Sequence, residues 1–128
     1  MRESELLRAC MTWARYQPWI HCLDSGEPPQ EPRSDRFVSI LRYNAGTQIV
    51  STADSRRAIR VGVAGMPDIL MIRNDGLLGA IELKTEKGKV SARQLAMHVW
   101  LKKTGVHVAI CRSVADFGRE ARVFVDSR

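Results

Sequence analysis

The sequence predicts one α/β domain with a mixed central sheet flanked by helices, on three observations. An amphipathic run opens the chain, two apolar strands joined by Asn74-Asp75-Gly76 occupy its middle, and a strand-helix-strand unit follows. A chain of 128 residues suffices for one hydrophobic core and leaves no room for a separate recognition module, so 1–128 is read as one domain.

Taken in order, 3–16 reads as a helix, with Leu6, Leu7, Cys10, Met11 and Ala14 spaced for a buried stripe and Trp13 and Trp19 completing the core. Three prolines, Gly26 and several polar residues make 24–36 a loop. Alternation over 37–43 predicts a strand beside the central hairpin, and Asn44-Ala45-Gly46 turns the chain back toward Gln48-Ile49-Val50. Ile69 to Ile72 and 78–84 form the hairpin. Ser91-Ala92-Arg93-Gln94 is a capping box that starts a helix over 91–103, and Gly105 ends it before a buried strand over 106–111. Ser113 caps a short helix to about Glu120, after which 122–125 is either a last edge strand or a tail.

Chemistry gathers at one end of the hairpin. Asp68 begins the outgoing strand while Glu82 and Lys84 close the returning one, so antiparallel pairing brings all three to one edge of the sheet. Two carboxylates in one place repel unless a proton or a cation lies between them, and an all-oxygen set selects Mg²⁺ or Mn²⁺. A phosphodiester would complete the shell, with Lys84 at the attacking water. The bland alternative makes Glu82 and Lys84 solvent-side positions of a half-buried strand and Pro67-Asp68 a strand-entry turn. Gln94 likewise has a sufficient explanation as a cap.

The run Gly65-Met66-Pro67-Asp68, Ile81-Glu82-Leu83-Lys84, Gly88-Lys89, Ser91 and Gln94 resembles the virus-type replication-repair nuclease (VRR-NUC) domain of the PD-(D/E)xK nuclease superfamily. The likeness is good over about 40–113, including Gly105 and the strand after it, and looser before that. It implies a restriction-endonuclease-like core and a divalent-metal-dependent endonuclease acting on branched DNA. Carried onto this chain, it makes Asp68 and Glu82 metal ligands together with the Leu83 backbone carbonyl, Lys84 the catalytic lysine, and Gln94 an active-site helper. It also implies a glutamate on the first helix. Glu5, just before Leu6-Leu7, is the better match, and Glu3 is the competitor; two positions apart on a helix, they point in different directions. Stand-alone members look like homodimers that cut four-way (Holliday) junctions, and their association with phage or prophage genomes suggests a bacterial cytoplasm.

Twenty Lys plus Arg against fourteen acidic residues give a net charge of +6, which favours a polyanionic partner. Six arginines (33, 36, 42, 56, 57 and 60) face only Asp35 and Asp54 between Arg33 and Arg60. Arg42, Arg56, Arg57 and Arg60, with Lys87 and Lys89 beyond the hairpin, are the candidate phosphate contacts; a solvated loop is the plainer reading of the arginine block. Three scattered cysteines argue against a zinc site or a disulfide framework, and His21, His98 and His107 read as structural or surface residues. The N-terminus carries no secretory or membrane signal, so an intracellular protein is expected. Flap or nicking activity, a non-catalytic DNA-binding module and an RNA substrate are the alternatives to a junction nuclease.

Overall fold

The computed structural model describes residues 1–26, 36–43 and 46–127, giving the backbone course alone for 46–50 and 59–61. Helix α1 (Glu3–Arg15) leads into β1 (Ile20–Cys22) and a 3₁₀ turn (Leu23–Ser25). Strands β2 (Val38–Arg42), β3 (Gly46–Ser51), β4 (Arg56–Val61), β5 (Ile69–Arg73) and β6 (Leu78–Leu83) follow, then α2 (Ala92–Lys103), β7 (His107–Cys111) and α3 (Val114–Asp126). A five-stranded sheet runs in the order β1-β2-β5-β6-β7, parallel at its two outer pairings and antiparallel at the two inner ones. The mixed α/β architecture expected from the sequence is therefore present.

The core lies between this sheet and the pair α1 and α3. Leu6, Cys10 and Ala14 from α1 meet Ile40, Ile69, Met71, Ile81 and Leu83 from the strands, and Phe117, Ala121, Phe124 and Val125 from α3. Burying each such Phe or Leu side chain contributes about 2 kcal/mol. Trp13 stacks edge-on against both Trp19 and Phe117, at centroid distances of 6.2 Å and 5.8 Å, so the two tryptophans complete the core as expected.

Three elements depart from the sequence reading. Helix α3 continues to Asp126, so 122–125 is neither an edge strand nor a tail. Phe117, Ala121 and Phe124 repeat at helical spacing, whereas a strand would send Phe124 and Val125 to opposite faces. Among the described residues, β3 and β4 pair only with each other, and β2 has β1 and β5 as partners rather than β3. Part of the arginine block is thus a strand; of the loop expected over 24–36, residues 27–35 lie outside the described residues, as do the turn residues Asn44 and Ala45. Strand β1 is the third, three residues held by parallel pairing to β2.

Two contacts fix the entrance to β5. The Val63 amide donates to the Tyr43 hydroxyl at 2.7 Å, and the Tyr43 amide donates to the Asp68 carbonyl at 2.8 Å, joining the end of β2 to the 63–68 loop. Gly65, with φ +85°, lies so close to the first turn of α2 that a Cβ would come within 2.9 Å of the Arg93 carbonyl oxygen. Glycine meets both demands.

Candidate active site

Ile69 stands opposite Ile81, and one further step of the antiparallel register sets Asp68 opposite Glu82. The Asp68 amide donates to the Ile81 carbonyl at 3.0 Å, and Asp68 Oδ2 accepts from the Leu83 amide at 2.8 Å. These two bonds tie the carboxylate to the mouth of the hairpin. Glu82, only 1% exposed, thus stands beside Asp68 at the mouth of the hairpin. Burial foremost, then the neighbouring Asp68, pushes its carboxyl up to about 9, with Lys84 pulling the other way and Glu3 adding to the rise. Without a cation, burial and the neighbouring carboxylate thus favour the protonated form of Glu82.

Lys84 prolongs the line of β6, its amide donating to the Cys111 carbonyl at 3.0 Å. Its Nζ lies 3.5 Å from Glu3 Oε1, with the lysine side chain 9% exposed. An ammonium so far withdrawn from water needs an anionic partner, and Glu3 supplies it. On the other side of the pair, His98 of α2 places Nε2 3.2 Å from Glu82 Oε1, both side chains being buried. Burial first, then Lys102 and Lys84, lowers the His98 pKa, which favours a neutral imidazole.

The expected residues therefore divide. Asp68, Glu82 and Lys84 converge as the hairpin register requires. Glu5 does not join them: its carboxylate turns back onto Arg2, accepting from the backbone amide and from Nε, each at 3.3 Å. Glu3, the competitor, instead reaches the strand edge beside Lys84, while Glu5 at the third helical position closes a capping box. Gln94 is also engaged in capping. Its Oε1 accepts from the Ser91 amide at 3.0 Å while its own amide donates to Ser91 Oγ at 3.1 Å. His98, set aside in the sequence reading, joins the site; its spacing of four from Gln94, one helical turn, was the available signal.

Of the candidate phosphate contacts, Arg56 and Arg57 are exposed on the β3-β4 ribbon, whose strands emerge beside Tyr43 and the 63–68 loop. The side chain of Arg60 lies outside the described residues. Arg42 is half engaged, with its amide 2.7 Å and its Nε 3.7 Å from Asp24 Oδ2. Lys87 and Lys89 are exposed around a loop that Arg112 organises, its Nη1 donating to the carbonyls of Thr85 and Gly88 at 2.7 Å and of Glu86 at 3.4 Å. A cleft of about 390 Å³ beside that loop is lined by Met1, Leu6, Thr85, Glu86, Lys87 and Arg112.

Among the described residues, no three His, Cys, Asp or Glu side chains are gathered closely enough to hold a metal ion between them. Asp68 and Glu82 form an oxygen pair with Glu3 close by, short of a full set. All three cysteines are free and buried, and burial pushes the Cys10 and Cys111 thiols up to about 12, which leaves them inert. Among the described residues no helix is long and apolar enough to cross a membrane.

A mixed sheet flanked by helices, with two carboxylates and a lysine at the mouth of its central hairpin, defines a class: nuclease domains of restriction-endonuclease-like architecture. The family model described as the VRR-NUC domain matches residues 1–115 of the 128, and the chain belongs to that family. It is accordingly a nuclease acting on DNA. No curated protein and no solved structure matches the chain.

Proposed function

We propose that the chain is a Mg²⁺- or Mn²⁺-dependent endonuclease that hydrolyses phosphodiesters in branched DNA, four-way junctions foremost. The observation that carries this reading is the register that sets Asp68 opposite the buried Glu82, with Lys84 and Glu3 at the same edge. Two neighbouring carboxylates repel unless a proton or a cation lies between them, so they are a donor set that a hard divalent ion satisfies, and oxygen-only ligation fits Mg²⁺ or Mn²⁺. Asp68 and Glu82 would hold the ion with the Leu83 carbonyl, and Glu3 takes the place expected of Glu5. When bound, the metal supplies Lewis acidity toward a water and a phosphate oxygen.

The chain's own residues do the rest. Lys84, steadied by Glu3, places a positive charge at the strand edge, where it holds the attacking water or offsets negative charge developing on the phosphate. Arg56, Arg57, Lys87 and Lys89 hold the DNA backbone against an acidic centre that would otherwise repel it. Replacing Arg56 and Arg57 with Ala lowers affinity and flattens its salt dependence; unchanged binding across a salt series would remove the ribbon from this role.

A two-fold pair of such sites suits a symmetric junction, and Leu95 and Val99, exposed one turn apart on α2, are apolar side chains available to a second copy. A monomeric mass at micromolar concentration would favour flap or nicking activity instead. The decisive experiment is cleavage of labelled four-way junction, flap, single-stranded and linear duplex DNA with Mg²⁺ or Mn²⁺, beside Asp68→Ala and Lys84→Ala. Metal-dependent cutting, strongest on the junction and lost in both variants, is the expected result. Junction binding without cutting would make the hairpin a scaffold for a DNA-binding surface.

A further inference from the structure

Five polar or charged side chains are buried among the described residues: His21, Arg73, Glu82, Lys84 and His98. Arg73 is accounted for by Asp75 and by the Phe124 and Ser127 oxygens at the end of α3, and Lys84 by Glu3. His21 lies on β1, the edge strand furthest from β7. His98 is 3% exposed, and its ring nitrogen is spent on the one buried carboxylate of the site.

We propose that His98 is a positioning residue for Glu82, donating from Nε2 to Oε1 and thereby setting the plane in which the carboxylate meets a divalent cation. A glutamate has three side-chain torsions, and the last is broad, so a strand position alone leaves the carboxylate plane free. The backbone of β6 fixes where Glu82 begins; the imidazole fixes where it ends. A carboxylate that holds a cation is ionised and its oxygens only accept, so in that state the nitrogen now 3.2 Å away carries the proton. The same helix braces the other ligand, since its first turn abuts Gly65 through the Arg93 carbonyl, three residues before Asp68. The stretch of α2 from Arg93 to His98 thus holds both strands of the hairpin mouth in relation to each other.

This inference rests on the metal-dependent reading above and is tested by direct binding. Mn²⁺ is titrated into the full chain and followed by the resonance of free Mn²⁺, for wild type, Glu82→Ala, His98→Leu, His98→Gln and His98→Asn, with circular dichroism on each. Loss of an outer partner of a metal ligand typically weakens affinity about 10- to 100-fold. That loss is expected in His98→Leu, which keeps the apolar bulk and removes the donor, and in His98→Asn, whose amide is too short to reach. His98→Gln, whose amide nitrogen reaches about as far as Nε2, is expected to restore affinity to within a few-fold of wild type. Wild-type affinity in a folded His98→Leu, with binding lost in Glu82→Ala, would overturn this proposal and leave the metal reading standing. Should the Leu variant not fold, equal affinities of the Gln and Asn variants would overturn it. A wild-type chain that binds no Mn²⁺ would overturn both.

Discussion

Replacing Glu82 with Gln should make the metal-free protein more stable at neutral pH while abolishing cleavage. Burial and the adjacent Asp68 raise the Glu82 pKa from 4.5 to about 9. A carboxyl raised in the folded state stays protonated there at pH values where the unfolded chain has released its proton. Its contribution to stability is therefore complete below the unfolded value and is lost as pH climbs from about 4.5 to about 9. Over that window the loss runs at about 1.4 kcal/mol per pH unit, or up to about 4 kcal/mol between about pH 5 and about pH 8. Gln is isosteric, can accept from His98 and donate to Asp68, and has no proton to lose. In EDTA, melting temperatures followed from about pH 5 to about pH 8 should separate progressively, with Glu82→Gln roughly 10 °C above wild type at the upper end. Saturating Mg²⁺ should close the gap by raising wild type alone. Parallel curves in EDTA would refute the reasoning, because they would mean that Glu82 ionises as freely in the folded chain as in the unfolded one.

Three further perturbations separate architecture from chemistry. Gly65→Ala combines a left-handed φ of +85° with a Cβ 2.9 Å from the Arg93 carbonyl oxygen; it should cost about 2 kcal/mol in denaturant unfolding, and a neutral result would dismiss the close approach. Gln94→Glu keeps the capping box and removes the side-chain amide, so α2 and cleavage should both survive, whereas lost cleavage with an intact helix would return Gln94 to the active site. Arg112→Ala removes the donor shared by Thr85, Glu86 and Gly88 and should cost about 1 kcal/mol. Faster hydrogen exchange at the Gly88 amide, which bonds the Thr85 carbonyl, is the accompanying signature; unaltered exchange would show that the loop holds itself.

The hairpin was legible because its strands have length, apolar content and a turn signal, and because an antiparallel register converts sequence positions into neighbours without further information. That alone brought Asp68, Glu82 and Lys84 together. His98 was not legible by the same means. Helix α2 leaves Leu95, Val99 and Trp100 exposed while burying His98 and Leu101, so its sequence carries no clean apolar stripe to say which face is turned inward. Glu3 and Glu5 share one helix and one chemistry, and only the position of the helix start decides which is consumed by capping. Strand β1 is too short for periodicity to register and exists because β2 offers it a parallel edge. In β4 the arginines drew attention as charge, although Arg57, Ile59 and Val61 alternate with Arg56, Ala58 and Arg60 as a strand requires. At the C-terminus, Val123-Phe124-Val125 has local strand character, and the helical spacing of Phe117, Ala121 and Phe124 overrides it.

Helix α3 changes what counts as the folding unit. The family match stops at residue 115, one residue after Val114 begins this helix. Yet Phe117, Ala121, Phe124 and Val125 are fully buried, and the Arg73 guanidinium beside the hairpin turn finds its acceptors on Phe124 and Ser127. A polypeptide cut where the recognisable domain ends would keep every candidate ligand and lose the wall behind them, exposing Met71, Ile81 and Leu83 to water. Such a fragment should be collapsed and inactive, and its silence in a nuclease assay would say nothing about the chemistry of Asp68, Glu82 or Lys84. The stretch by which this nuclease is recognised is shorter than the stretch that makes it a solid object.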